Sequence, residues 1–374
     1  MIFLDNAGTT KMFEECVDVH KFYSCNDFFN PSALSVESLK VSRLLADTEK
    51  FFLDKLGAKV GNILFTGCAT ESNNMAIKGS LRTGDYEYVF SAGEHPSVFN
   101  VAKKLEMDGY KVHIVPLSSD GCVDYDELSK VLNEKTRLIS IMHVSNETGA
   151  INDLQRISKL KDKICPRAIL HVDGVQGFMK IPVLLKNTSI DLYSFSAHKI
   201  HGPKGVAGLY VKNKNGLKEL LQGGGQQFGL RSGTENVSGI MQFKKAVELI
   251  DVEKNLENVK SLRKALNDIV SADGVKVIDF KGSPYIESLM FPGVKGETML
   301  HALNEKGVIV GLGSACSSKK AGNRILEQLG FSKDDIISSV RVSFNAYQSQ
   351  EEIKMAGKII VDTYKDIKQR VVIG

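Results

Sequence analysis

An aspartate and a lysine each follow a short apolar segment near the middle of the chain. Asp173 ends the segment 168–173, and Lys199 comes just after the segment 191–196. If these segments are neighbouring parallel strands, their ends meet at one sheet edge and the two side chains face the same crevice. Pyridoxal 5'-phosphate (PLP) needs such a pair, because a lysine forms its Schiff base and an acid keeps its pyridine nitrogen protonated. On spacing alone, a strand-end cap at Asp173 and a solvated Lys199 remain open alternatives.

Further polar residues follow other predicted strands. The segment 67–74 opens a helix with a glycine followed by hydroxyl and amide side chains, and the free N–H groups of such a helix start suit a phosphate. The same residues are also typical of an ordinary helix cap. His95 could lie flat on an aromatic cofactor ring and move protons, although a lone histidine at a strand end is more often structural. Asn146 again comes just after a strand.

Cys316 is the cysteine whose surroundings favour a reactive thiol. It lies among small residues and precedes Lys319 and Lys320, so the thiol should be accessible and in a positive environment. Both features favour a nucleophilic thiolate, whereas the alternative is a packed cysteine in a turn. The six cysteines form no CxxC pair and have no metal-ligand spacing with histidine. The sequence therefore predicts reduced thiols and no metal site.

The segments that carry these residues alternate between strands and helices. Short apolar strands are predicted at 87–92, 111–117, 137–144, 168–173, 190–196 and 206–211. Helices are predicted at 36–56, 96–107, 125–133 and 153–164. This alternation indicates βαβ units and an α/β fold with a mostly parallel sheet covered by helices on both faces. Right-handed crossovers then place the strand ends along one edge, where ligands bind.

After about residue 250 the order of the elements changes. A long charged helix at 252–270 leads into strands and helices in α+β order, and an amphipathic helix at 351–368 follows. The first dozen residues are too short to fold alone and are predicted to join this second unit. The predicted domains are a large PLP-binding α/β domain at 15–250 and a small α+β domain at 1–14 and 251–374. The small domain carries the loop of Cys316.

Composition excludes several classes of protein. The 374 residues are 43% hydrophobic and 25% charged, which is ordinary globular usage and argues against disorder or fibres. A formal net charge of +4 is too mild to indicate direct binding of nucleic acid. No apolar run approaches the roughly 18 residues of a membrane span, and no basic segment followed by an apolar run marks a signal peptide. We therefore expect a cytoplasmic protein without a membrane segment.

Ordered motifs occur along nearly the whole chain. They are LDNAGTT (4–10), NPS (30–32), ATESNN (69–74), EHPSV (94–98), NETG (146–149), HVDGVQ (171–176), SAHK (196–199), RSGTEN (231–236), GSAC (313–316) and RVSF (341–344). By these motifs the chain resembles the class V aminotransferase family, specifically cysteine desulfurases of the NifS/IscS type. The resemblance implies the fold type I of PLP-dependent transferases, with a mostly parallel, seven-stranded sheet in the large domain.

The resemblance also implies roles for individual residues. Lys199 would bind PLP covalently, Asp173 would pair with the pyridine nitrogen and His95 would stack on the ring. The other expected contacts to the cofactor are made by Ala69, Thr70, Asn146, Gln176, Ser196, His198 and, in the other subunit's site, Thr234. Arg341, assisted by Asn146, would hold the carboxylate of the substrate, a task that suits a guanidinium. The role of Thr234 implies a homodimer with active sites at its interface.

The implied reaction converts L-cysteine to L-alanine. Lys199 would move the alpha proton, and the Cys316 thiolate would take the sulfur as a persulfide. The sulfur would then pass to an acceptor protein or a tRNA-modifying enzyme, for iron–sulfur clusters or another pathway. Alternatives are another PLP enzyme of this fold (a selenocysteine lyase, a beta-eliminating lyase or an aminotransferase) and a non-catalytic paralogue. The residues Gly8, Ser35, Ser38 and Ser145 depart from the family pattern, which concerns the subclass and partner more than the chemistry.

Overall fold

The computed structural model describes residues 1–312 and 324–372. Short strands recur along the whole described chain. In chain order they are β1 (Ile2–Leu4), β2 (Asn62–Thr66), β3 (Glu87–Ser91), β4 (Lys111–Val115), β5 (Thr136–Ser140), β6 (Ile169–Asp173), β7 (Leu192–Ser196), β8 (Ala207–Val211), β9 (Lys276–Ile278), β10 (Ile286–Met290), β11 (Val308–Val310) and β12 (Ser339–Ser343).

Helices connect most of these strands. In chain order the described α-helices are α1 (Glu15–Cys25), α2 (Val36–Lys55), α3 (Ala69–Gly79), α4 (Pro96–Met107), α5 (Tyr125–Val131), α6 (Leu154–Ile164), α7 (Val237–Glu248), α8 (Val252–Val270), α9 (Gly296–Glu305), α10 (Arg324–Gln328), α11 (Lys333–Ile337) and α12 (Gln350–Val372). Within the described ranges, every helix is too short or too polar to span a lipid bilayer.

The largest sheet has seven strands in the spatial order β2-β8-β7-β6-β5-β3-β4. Strands β7, β6, β5, β3 and β4 run parallel, and β8 pairs antiparallel with both of its neighbours. The predicted mostly parallel sheet is therefore confirmed. Strands β6 and β7 are neighbours, and Asp173 pairs with Ser194 in their register. Asp173 thus ends a strand beside the one that leads to Lys199.

The sheet is buried on both faces, as its nearly continuous apolar strands predict. In β3, Val89 belongs to a hydrophobic cluster that includes Phe52 of α2 and Phe243 of α7. The flanking Tyr88 and Phe90 belong to a second cluster, which includes residues of α3 and α4. Successive residues of a strand point to opposite faces, so helices cover both sides of this sheet.

A separate hydrophobic cluster joins the N-terminal strand to the C-terminal third of the chain. It includes Ile2 and Leu4 of β1 together with buried residues of α8, β10, β12 and α12. Strands β12, β10 and β9 form an antiparallel sheet, and β1 pairs parallel with β11. We propose that the chain divides into a large domain at 15–250 and a small domain at 1–14 and 251–374, and the separate clusters support this division.

Candidate active site

A cavity of about 460 Å³ opens at the edge of the seven-stranded sheet where β6 and β7 end. Residues of the N-terminal segment and of β12 close it from the side of the small domain. The residues that line it include Ala7, Gly8, Cys68, Ala69, Thr70, Asn73, His95, Ser97, Asn146, Glu147, Asp173, Gln176, His198, Lys199 and Arg341. The structure thus brings together most of the side chains that the sequence predicts to act on a cofactor.

Lys199 ends a short 3-10 turn that follows β7 directly. Its Nζ donates hydrogen bonds to the backbone carbonyls of Ala7 and Gly8, each at 2.6 Å. Burial, and secondarily the positive charge of Arg341, lower the pKa of Lys199 to about 8. A lysine with a lowered pKa has a larger neutral fraction near neutral pH, and the neutral amine is the nucleophile and the base.

Asp173 is buried at the end of β6, with 4% of its surface exposed. Its Oδ2 accepts a hydrogen bond from Nδ2 of Asn73 at 2.8 Å, and its Oδ1 accepts one from the backbone N–H of Val175 at 3.1 Å. Two donors hold the carboxylate in one orientation at the wall of the cavity. A fixed, buried carboxylate is suited to pair with a protonated pyridine nitrogen.

His95 lies at the N-cap of α4, and Pro96 occupies the first turn of that helix. Its Nδ1 accepts a hydrogen bond from the backbone N–H of Ser97 at 3.1 Å. Burial is the main cause that lowers the pKa of His95, and the charge of Lys199 adds to this effect while Asp173 opposes it. Because Nδ1 is engaged within the cap, Nε2 is the ring nitrogen left for a ligand.

The start of α3 and the turn before Lys199 form the polar end of the cavity. Ala69 and Thr70 lie in the first turn of α3, whose positive dipole end suits a phosphate. Nδ1 of His198 lies 3.1 Å from Oγ1 of Thr9, and burial lowers the pKa of His198 to about 4. The Ser196 side chain is buried, and no described residue hydrogen-bonds its Oγ. Ser196 is not among the residues that line the cavity.

Gln176 connects the cavity to a buried lysine that sequence reasoning missed. Its Nε2 donates to the carbonyl of Ala7 at 3.0 Å, and its Oε1 accepts from Nζ of Lys180 at 2.9 Å. Lys180 is only 5% exposed, and burial lowers its pKa to about 7. With Oε1 occupied, the second hydrogen of the Gln176 amide remains for a ring hydroxyl of the cofactor.

Arg341 enters the cavity from β12. Its guanidinium lies 2.7 Å from Oδ1 of Asp5 and donates to the backbone carbonyl of Asn146 at 3.0 Å. Oε1 of a second carboxylate, that of Glu147, lies 3.8 Å from Nη1 of Arg341. Nε of Arg341 and Oδ1 of Asn146 are buried, and neither has a hydrogen-bond partner among the described residues. An unpartnered guanidinium N–H is suited to the carboxylate of an amino acid.

Three predicted residues do not line the cavity. Ser196 is buried at the end of β7. Thr234 is exposed and lines a separate depression with Arg231 and Glu235, so this chain alone does not bring it to Lys199. Cys316 lies outside the described residues. Asp5, Asn73, Ser97 and Lys180 were given no role in the sequence interpretation, although the first three occur within its motifs.

The residues around the cavity fit PLP. Lys199 would bind it covalently, Asp173 would face its pyridine nitrogen and His95 its ring. Ala69, Thr70 and His198 would hold its phosphate, and Gln176 and Asn146 its ring hydroxyl or the substrate. The main support for this fit is the buried Oδ1 of Asn146, a residue of the cavity wall, which lacks a partner in the described chain. When bound, PLP supplies an electron sink for reactions at the alpha carbon of an amino acid.

Comparison with known proteins agrees with this assignment. Residues 2–355 match the family model of the class-V aminotransferases. A cysteine desulfurase of Nostoc sp. is 33% identical over 382 residues, covering 99% of this chain and 94% of that protein. The cysteine desulfurase IscS of Dictyoglomus turgidum is 34% identical over 366 residues, covering 94% of this chain and 91% of that protein.

Solved structures share the fold. A NifS-like protein has a TM-score of 0.91 and 30% identity, with 96% of this chain and 98% of that chain covered. A structure described as SspA in complex with cysteine has a TM-score of 0.83 and 26% identity, covering 93% and 100% of the two chains. The predicted α/β fold of the PLP-dependent transferases is confirmed by these matches. By its family match and its full-length relatives, the chain belongs to the class-V aminotransferase family.

Proposed function

We propose that this protein is a PLP-dependent cysteine desulfurase, which converts L-cysteine to L-alanine and passes the sulfur on as a persulfide. One observation carries the proposal. A partly neutral lysine, a fixed carboxylate and an arginine with a buried free N–H line one cavity, which gives a place to both ends of an amino acid. The full-length relatives named as cysteine desulfurases support the choice of substrate, as does the neighbour described in complex with cysteine.

Arg341 binds and orients the substrate. Its guanidinium lines the cavity and keeps one N–H, that of Nε, without a partner in the described chain, so it can bind the carboxylate of L-cysteine. Asp5 and the carbonyl of Asn146 hold its two terminal nitrogens. This clamp fixes the alpha carbon beside Lys199, whose neutral amine takes the alpha proton and later returns one.

Cys316 accepts the sulfur. Its thiolate forms an S–S bond to the sulfur of the substrate as the bond between that sulfur and the beta carbon breaks. The electron pair of the broken bond remains with the carbon skeleton, which takes up a proton and leaves as alanine. The persulfide on Cys316 is then attacked by an acceptor thiol of a partner protein, and the pathway served, such as iron–sulfur cluster assembly, is set by that partner.

We also propose that the protein acts as a homodimer in the cytoplasm. Exposed large apolar side chains are concentrated between residues 17 and 39, where they include Val17, Phe22, Phe28, Leu34 and Leu39. Such a concentration favours a protein interface. The exposed Thr234 is then available to the cofactor phosphate in the partner's site. Light scattering tests the dimer, and a fully active monomer would contradict it.

The decisive experiment measures sulfide and alanine together from L-cysteine in the presence of a thiol reductant. Wild-type protein should form the two products in equal amounts, and Cys316→Ala should retain PLP but form neither. Cys25→Ala and Cys68→Ala are matched controls, because both thiols are exposed and Cys68 lines the cavity itself. If the products are pyruvate and ammonia in place of alanine, or if Cys316→Ala is fully active, the protein is an eliminating lyase and not a desulfurase.

A further inference from the structure

We propose that Asn73 is a positioning residue that links Asp173 to His95 through Ser97, and that this link fixes the His95 ring with its proton on Nε2, toward the cofactor. The catalytic consequence rests on the proposed function, but the link itself is a property of the chain. Its three contacts join α3, β6 and α4, the elements that meet at the base of the cavity.

The orientation of the Asn73 amide follows from its partners. Asn73 is 1% exposed, and its Nδ2 lies 2.8 Å from both Oδ2 of Asp173 and Oγ of Ser97. An ionised carboxylate only accepts hydrogen bonds, so the atom that faces Asp173 must be the amide nitrogen. The two hydrogens of that nitrogen are then divided between Asp173 and Ser97.

The direction of the next hydrogen bond follows in turn. Because Oγ of Ser97 accepts from Asn73, its own hydrogen is free to point at Nδ1 of His95, which lies 2.8 Å away. The backbone N–H of Ser97 donates to the same Nδ1 at 3.1 Å. Two donors converge on Nδ1, so that nitrogen carries a lone pair and the neutral ring carries its proton on Nε2.

This arrangement couples two groups that act on opposite parts of the cofactor. Asp173 would face the pyridine nitrogen, whereas His95 would face the ring and the substrate. A proton on Nδ1 would oppose the backbone N–H of Ser97 and so weaken the cap of α4. The single amide of Asn73 therefore serves both the placement of Asp173 and the tautomer of His95, and a change at this residue should disturb both.

The test compares Asn73→Ala, Ser97→Ala and Ser97→Thr with wild type in two measurements. Nitrogen-15 NMR of the histidine rings, assigned with His95→Gln, reports the tautomer of His95 in the full chain without and with PLP. Absorbance titration reports the affinity for PLP. Asn74→Ala is the matched control, because Asn74 is the next residue of α3 and its amide donates to the carbonyl of Thr70 instead.

Asn73→Ala should lower the affinity for PLP by roughly tenfold or more, since it removes a hydrogen bond to a charged group, and should mix the His95 tautomers. Ser97→Ala should mix the tautomers while leaving the PLP affinity within about twofold, and Ser97→Thr should restore the single tautomer. A wild-type ring protonated at Nδ1, or an Asn73→Ala protein unchanged in both measurements, would overturn the proposal. If Asn73→Ala does not fold, the Ser97 pair decides the tautomer. Neither measurement uses L-cysteine, so both results remain valid even if the protein is not a cysteine desulfurase.

Discussion

The carboxylate of Asp5 and the guanidinium of Arg341 lie 2.7 Å apart, although 336 residues separate them in the chain. Asp5 follows β1 and forms an isolated parallel bridge with Ser343, which places it beside the strand of Arg341. Gly8 and Gly311 leave room for this pair, since a Cβ on either would lie within 2.7 Å of the Asp5 carboxylate. The ion pair therefore fixes the guanidinium of Arg341 at the wall of the cavity before any substrate binds.

Replacing Arg341 by lysine should weaken substrate use more than it weakens the fold. A lysine keeps the charge but cannot offer two parallel N–H groups to a carboxylate. We expect Arg341→Lys to lower kcat/KM for L-cysteine on the order of tenfold to a hundredfold, mainly through KM, with PLP retained. Steady-state kinetics with L-cysteine measures this, and Arg43→Lys on the exposed face of α2 is the control. An unchanged KM would show that Arg341 does not bind the substrate.

Lys199→Ala should abolish covalent attachment of PLP. Borohydride reduction followed by mass spectrometry should find the cofactor mass on the wild-type chain and on the Lys204→Ala control, whose lysine is exposed. Attachment that persists in Lys199→Ala would place the reactive amine elsewhere.

The rate of this attachment should also depend on pH. Burial and Arg341 lower the pKa of Lys199 to about 8, and only the neutral amine reacts. With PLP-free protein, the rate of covalent capture should rise about tenfold per pH unit below pH 8 and level off above it. A rate that keeps rising to pH 10 would show that Lys199 has an ordinary pKa in the cavity.

Lys180→Met should stabilise the PLP-free protein at neutral pH. Burial lowers the pKa of Lys180 from 10.5 to about 7, so the unfolded chain binds the proton more readily and stability is lost as pH falls through this window. Methionine has a similar shape and no charge to bury. Melting temperature at pH 7 should therefore rise, with the exposed Lys186→Met as control.

The same variant should weaken PLP binding several-fold. The hydrogen bond from Lys180 fixes which end of the Gln176 amide faces the cavity, and without it the amide is free to turn. A lower melting temperature together with unchanged PLP affinity would show that Lys180 stabilises the fold and does not serve the site.

Local patterns were sufficient to predict several elements and the placement of Asp173 and Lys199 in one crevice. The helices 96–107 and 252–270 have the predicted bounds, because proline or aspartate at their starts and apolar spacing within them are local signals. The predicted strand 137–144 was too long, since β5 ends at Ser140. Ile141, Met142 and Val144 are apolar because they are buried beside the cavity, which Met142 and Val144 line, and not because they continue the strand.

Contacts between distant segments could not be predicted in this way. The pairing of Asp5 with Arg341 and the bonds from Lys199 to Ala7 and Gly8 join residues more than 190 positions apart. Asn73 was visible within a motif, but only the crossing of α3 over the end of β6 reveals that its amide reaches Asp173. The spacing of Gln176 and Lys180, four residues apart just after a strand, was the one local signal for the buried lysine.

Buried histidines should make the protein sensitive to acid. His171 lies between Oγ of Ser140 at 2.8 Å and Oγ of Ser194 at 3.0 Å, and burial lowers its pKa from 6.5 to about 3. In the unfolded chain His171 binds a proton near pH 6.5, whereas in the folded chain it stays neutral until about pH 3. The folded state is therefore fully stable with respect to His171 above pH 6.5 and loses stability as pH falls toward 3. Burial also lowers the pKa of His143 to about 4, which adds to the effect.

For His171 alone, the free energy of unfolding should fall by about 2 kcal/mol between pH 6.5 and pH 4.5. His171→Gln keeps an uncharged hydrogen-bonding group between the two serines, and its stability should depend less on pH by that amount. Urea unfolding followed by circular dichroism measures this, since the chain has no tryptophan. His301→Gln, at an exposed position of α9, controls for the loss of a histidine as such. Equal pH dependence in wild type and His171→Gln would mean that the acid sensitivity arises from other groups, because the proton taken up on unfolding would not belong to His171.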